Sequence, residues 1–160
     1  MTAVTAPDKA GNGGPWRELL RGVVHPWHHD IFGHMNVRHY APFFDDASFH
    51  FHHMLGSDLA AMLEVHGVHV VTARAETSFL RELKAGDLFA VEGALGRIGT
   101  RSVTLLLRMR HVVTNAVHAT CEITEVFFDP ATRRSTPMPD AVRARYEQFA
   151  AGVEADGGSV

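Results

Sequence analysis

The chain has 160 residues, 46% of them hydrophobic and 21% charged, with a formal net charge of -3. This suits one folded unit with a substantial core and is unlike disordered or nucleic-acid-binding chains. The lone cysteine, Cys121, excludes an internal disulfide framework, and no apolar run nears the roughly 18–20 residues that span a bilayer.

Residues Met1 to Pro15 are small, polar and glycine-rich and read as a disordered lead-in, as does the tail from Ala151 to Val160. A single domain is expected over residues 16–150. The N-terminus lacks the basic segment and apolar run of a secretory signal, so a cytoplasmic location is expected, with neither membrane nor nucleic acid as a partner. A first strand is predicted from Glu18 to His25 and is broken by Pro26, which cannot donate to a sheet ladder. The polar run His28-His29-Asp30-Ile31-Phe32-Gly33-His34-Met35-Asn36 follows, then a helix from about Val37 to Met54.

Tyr40, Phe43, Phe44, Ala47, Phe51, Met54 and Leu55 recur at three- and four-residue steps and share one helix face. Asp45, Asp46, Ser48, His52 and His53 fall mainly on the others. Pro42 is tolerated only in a first turn, so the regular helix starts between Arg38 and Ala41, and Gly56 suits a left-handed C-terminal cap. A short helix over Ser57–Val65 is followed by a change to period two. Strands are expected over Val68–Phe79, Leu88–Leu95, Ser102–Val113 and Val117–Phe128, the last three joined by short turns into an antiparallel meander. A short, partly exposed helix runs from Pro139 to Ala150. The fold class is therefore α+β, with one antiparallel sheet wrapped around one long central helix. Such a sheet covers only part of the helix, so self-association into a homodimer or homotetramer is expected.

The polar run concentrates possible chemistry. Of twelve histidines, eight lie between His25 and His53. A helical metal pair needs four-residue spacing, which His50, His52 and His53 lack and which His25 and His29 have only across Pro26. No metal is expected, and the excess histidines read as exposed surface. Asp30 suits a catalytic carboxylate, or merely a turn former and helix-entry cap. His34 either bonds the loop backbone or orients Asp30 or a substrate, and Asn36 is either a helix N-cap or a ligand contact. Gly33 permits a tight turn and close approach of a ligand to the backbone. The unpaired N–H groups and positive dipole end at the helix start suit a developing oxyanion. Cys121 has no local base signature and is not expected to act as a nucleophile.

These residues carry a resemblance. Asp30-Ile31-Phe32-Gly33-His34-Met35-Asn36 with Tyr40 is similar to the acidic loop and helix head of the hot-dog acyl-CoA thioesterases of the 4-hydroxybenzoyl-CoA thioesterase type. Phe79-Leu80-Arg81-Glu82-Leu83-Lys84-Ala85-Gly86-Asp87 resembles their hairpin entry, and Gly99-Thr100-Arg101-Ser102 is a weaker match at the next turn. Together the matches span about Glu18 to Phe128. The resemblance implies a hot-dog fold and hydrolysis of an acyl-CoA or acyl-carrier-protein thioester. No cofactor is implied beyond the coenzyme A of the substrate. It places the catalytic carboxylate at Asp30 and the carbonyl-polarising N–H at Val37, with His34 and Asn36 beside them. Gly33, Tyr40, Phe44 and Arg101 form the expected substrate-binding set. Arg97, Arg108, Arg133 and Arg134 are further candidates for the phosphates of coenzyme A. Many members carry a second acid two residues before the catalytic one, where this chain has His28.

Two other functions fit the same fold. A hot-dog hydratase or dehydratase would place histidine five residues after a glycine-preceded aspartate, whereas Asp30 and His34 are four apart and His29 precedes Asp30. A non-catalytic acyl-binding module would be expected to lack the acid or to carry an added domain.

Overall fold

Period-two alternation dominates the second half of the chain. From Val103 to Met109 every second side chain is buried, and the same rhythm continues through Ala119, Cys121, Ile123 and Phe127. In the computed structural model, which describes residues 14–153, these segments are β4 (Ser102–His111) and β5 (Val117–Asp129). They join β1 (Arg17–Val23), β2 (His69–Phe79), β3 (Leu88–Ile98) and the two-residue β6 (Arg134–Ser135). The sheet order is β1-β3-β4-β5-β2, with β6 beside β5 and every pairing antiparallel. β3, β4 and β5 form the expected meander. The disorder expected over Met1–Pro15 and Ala151–Val160 falls, apart from a few inner residues, outside the described residues.

The sheet curls around α1 (Tyr40–Met54), which is entered through a 3-10 turn at Val37–His39. Pro42 lies in the first turn, and Gly56 takes φ +68° beyond the helix end while its N–H bonds the His53 carbonyl at 2.9 Å. A second helix, α2 (Leu59–His66), is capped by the Asp58 side chain, and α3 (Asp140–Ala150) packs near the far end of α1, where the Phe51 and Phe149 rings meet at 5.4 Å. Tyr40, Phe44, Ala47, Phe51 and Leu55 are buried as expected. This is the hot-dog arrangement. Among the described residues no helix is long and apolar enough to cross a membrane.

Two expectations about α1 need correction. Met54 is partly exposed and Phe43 only half-buried, whereas Ser48 and His52, expected on other faces, are buried. The buried arc is rotated toward Ser48 and His52; Tyr146 of α3 and Glu125 of β5 close over His52, and the Ser48 hydroxyl bonds back to the Asp45 carbonyl. His52, with no exposed surface, places Nε2 2.6 Å from Glu125 Oε2 and Nδ1 2.8 Å from the Tyr146 hydroxyl. Ser57 Oγ donates to the His52 carbonyl at 3.1 Å. A buried acid, imidazole, phenol and hydroxyl are tolerated together because each has a partner. The network ties α1, the turn after it, β5 and α3 into one unit. His118 is also buried, so the view of the excess histidines as surface groups fails at two positions.

Candidate active site

The polar run folds as a miniature hairpin. His29 bridges to Met35, and the Asn36 N–H bonds the His28 carbonyl at 2.8 Å. Between them the Asp30 N–H bonds the His34 carbonyl at 2.9 Å, and Gly33 closes the turn at φ +80°, a conformation that side chains disfavour. Asp30 Oδ1 accepts from the N–H of Phe32 at 2.8 Å and of His34 at 3.3 Å. The carboxylate is thus a turn former, as the plainer reading had it, but only one oxygen is used. Among the described residues Oδ2 has no protein donor and is available for chemistry.

This hairpin is strapped to the connection between β2 and β3. The Met35 N–H donates to the Leu83 carbonyl at 2.7 Å, and the Ala85 N–H donates to His29 Nε2, also at 2.7 Å. Just upstream, the N–H of Val24 bonds the Asp87 carbonyl at 2.9 Å while the N–H of Gly86 bonds the Val24 carbonyl at 2.8 Å. The Asn36 side chain accepts from the Arg38 N–H at 3.1 Å and is an N-cap. Val37, first residue of the 3-10 turn, has no carbonyl behind it within that turn for its N–H to bond.

A cavity of about 470 Å³ opens at this junction, lined by Asp30, His34, Val37, Tyr40, Arg81 and Glu82 among others. Sequence reasoning had brought the first four together but had missed Arg81 and Glu82. Glu82 Oε2 lies 3.0 Å from His34 Nε2, so the His34 ring faces the strap while its main chain holds Asp30. The Tyr40 ring packs edge-on against Phe79 at 5.1 Å. Burial first, and then the charge of Glu82, push the Tyr40 phenol up to about 12, so it remains a hydrogen-bond donor through neutral pH.

The remaining candidates lie elsewhere. Phe44 lines a separate groove of about 570 Å³ with Thr77 and Cys121. Burial pushes the Cys121 thiol up, in keeping with an unreactive cysteine. Arg101 donates to the Ser135 carbonyl at 3.0 Å in the β3–β4 turn, at the opposite end of β3 from the strap. An 11-residue strand is roughly 35 Å long, so within one chain Arg101 does not reach Asp30. Arg108 pairs with Glu92 at 2.7 Å and stacks on Trp16.

His28, at the position of the second acid, accepts from the His25 N–H at 3.1 Å and packs beside His39 and Phe43. Burial first, then the neighbouring histidines, lower its basicity and disfavour its cation; unlike an acid at this position, it carries no negative charge. In the one histidine pair with metal spacing, His25 stacks on Trp27 while His29 Nε2 is taken up by the Ala85 N–H. Among the described residues no group of three or more histidine, cysteine or acidic side chains is arranged to hold a metal.

Comparison with known proteins adds a family. A model of the thioesterase-like superfamily matches residues 24–146. No curated protein matches the chain by sequence. Among solved structures, a Staphylococcus aureus protein determined in complex with CoA is similar at a TM-score of 0.77 and 19% identity, over 90% of this chain and 94% of that one. A candidate thioesterase from Pseudomonas aeruginosa aligns at 26% identity and a TM-score of 0.67, over 80% and 98% of the two chains. The 1,4-dihydroxy-2-naphthoyl-CoA thioesterase from Synechocystis aligns at 11% identity and a TM-score of 0.72, over 88% and 99%.

The strap itself is anchored by His118. Its carbonyl accepts from the N–H groups of Leu80 and Arg81, and its Nδ1–H donates to the Glu82 carbonyl at 3.0 Å. Burial holds the His118 imidazole below its ordinary value of 6.5. The unfolded chain then binds the proton more readily than the folded one, so this contribution to stability is present above about pH 6.5 and is lost as the pH falls through the lowered value. Thermal unfolding at pH 7.5 and pH 5.5 is expected to give a lower midpoint in acid, with a smaller difference in His118→Gln; an equal difference in both proteins would contradict this role.

Proposed function

The chain belongs to the thioesterase-like superfamily and is a thioester hydrolase, and we propose that its substrate is an acyl-CoA cleaved at the cavity between the hairpin and the head of α1. The observation that supports this reading is that Asp30, with one carboxylate oxygen held by the turn, and Val37, at the head of the 3-10 turn, line the same cavity. Thioester hydrolysis needs an oxygen nucleophile and a donor for the oxyanion, and these two groups supply them. With the thioester carbonyl oxygen on the Val37 N–H, its carbon faces Asp30. The carboxylate then either attacks directly or takes a proton from an attacking water. Direct attack expels CoA as the thiolate and leaves a mixed anhydride; water opens the anhydride to the carboxylic acid and the free Asp30 carboxylate, and the remaining proton of the water passes through the solvent to the thiolate. The general-base route gives the same acid and thiol in one tetrahedral step. Tyr40 lines the same cavity and, kept as a phenol, retains a proton to donate, and Gly33 leaves the backbone of the turn open. The CoA complex of the Staphylococcus aureus protein and the aryl-CoA substrate of the Synechocystis enzyme support coenzyme A as the carrier.

We also propose that the working unit contains at least two copies. β2 is an 11-residue edge strand whose residues 71–76 are exposed, and Ile31, Phe32, Phe49 and Phe79 present apolar surface nearby. A long edge strand with no partner on its outer side among the described residues, together with exposed apolar side chains, ordinarily marks an interface. Sedimentation at micromolar concentration is expected to give a dimer or tetramer, and a monomer would remove this part of the reading.

Thiol release from a panel of acyl-CoA esters, followed for the parent chain and Asp30→Asn, tests the reaction. Turnover is expected to fall by at least about 10²-fold in the variant, the usual scale of a lost acid–base or nucleophilic group. Parent-like turnover in Asp30→Asn would remove Asp30 from the mechanism.

A further inference from the structure

We propose that Glu82 is a positioning residue for this reaction, fixing the orientation and tautomer of His34 at the wall of the cavity. The proposal rests on the thioesterase reading for its kinetic consequence, but its structural content stands on geometry alone.

Glu82 Oε2 lies 3.0 Å from His34 Nε2. A carboxylate can only accept, so at this distance its charge favours the ring form that carries hydrogen on Nε2, and a neutral ring then keeps its lone pair on Nδ1. This contact therefore biases which nitrogen can accept from a water or a substrate group. The His34 main chain is meanwhile bonded to Asp30 through both its N–H and its carbonyl. Glu82 thus acts on the residue whose backbone shapes the Asp30 turn.

The acid is exposed, with 65% of its side-chain surface in solvent, whereas His34 keeps 27%. An ion pair that open contributes little to stability, which argues against a purely structural role. Its main chain, however, is held by the His118 ring on the Glu82 carbonyl, with the preceding N–H groups of Leu80 and Arg81 on the His118 carbonyl. The Arg81 guanidinium adds a bond to the Val117 carbonyl at 2.8 Å. Four hydrogen bonds to two adjacent residues of β5 leave the carboxylate a short side chain on a fixed base. Holding the main chain of an acid beside a cavity histidine limits where its carboxylate can reach, which is what orienting that ring requires. Glu82 acts a second time on Tyr40, whose phenol it helps to keep protonated.

The experiment uses the full chain with E82A and E82Q. Two-bond nitrogen–proton correlation spectra of the His34 ring, taken at a pH where the ring is neutral, report the tautomer. The parent is expected to show a single Nε2–H form, E82A a mixture, and E82Q an intermediate, because the amide oxygen still accepts. With an acyl-CoA that the parent hydrolyses, kcat is expected to fall roughly tenfold in E82A with little change in KM and in melting temperature, and to recover partly in E82Q. A parent-like His34 spectrum in E82A overturns the proposal, as does a parent-like kcat in a protein that hydrolyses thioesters. A tautomer change in E82A of a parent inactive on every thioester supports the positioning contact and removes the functional reading instead.

Discussion

The bonds between the 28–36 hairpin and the β2–β3 connection govern this molecule. A glycine-containing polar turn has no core of its own and would be mobile if left to itself. Here the N–H of Met35 on the Leu83 carbonyl, His29 on the Ala85 N–H, and the reciprocal bonds of Val24 with Gly86 and Asp87 tie it to the sheet. Leu83 and Met35, joined in that strap, are both buried, so the bond between them is shielded from competing water. The Asp30 turn is therefore built on a rigid edge and handed directly to the head of α1. Positioning of this kind can supply a large share of a rate enhancement with few side chains.

The rest of the fold keeps that edge in place. α1 lies in the curl of the sheet, chiefly over β3, with Phe44, Ala47 and Phe51 in one core with the apolar side chains of β3, β4 and β5. Its far end is locked by the buried His52, Glu125, Tyr146 and Ser57 network, so the helix cannot slide along the sheet. Burial also pushes the Tyr146 phenol well above its ordinary range, which leaves it an uncharged partner. One end of α1 is held by polar bonds in the core, and the other is entered through the Asn36-capped turn that begins at Val37.

Much of this was legible in the sequence, for local reasons. Period-two alternation marked the strands, Pro42 and Gly56 bounded α1, and the acid and glycine marked a turn with chemistry. What the sequence concealed depends on partners far along the chain. His52 reads as a surface residue until Glu125, 73 residues away, is folded against it. Glu82 looks like one more charge in a hairpin entry, because its link to His34 crosses 48 positions and leaves no periodic trace. Arg101 was attached to the site by motif alone, and the length of β3 carries it to the opposite end. Phe44 belongs to the right helix face but lines the neighbouring groove.

The central claim is that one thioester carbonyl sits between Asp30 and the Val37 N–H. The most direct test is to titrate the labelled protein with an acyl-CoA analogue whose thioester sulfur is replaced by methylene, leaving an unreactive ketone. The Val37 amide proton is expected to move strongly downfield on saturation, with smaller shifts at Phe32, Gly33 and His34. Saturable binding that leaves Val37 unmoved and perturbs the groove beside Phe44 and Cys121 instead would contradict the claim.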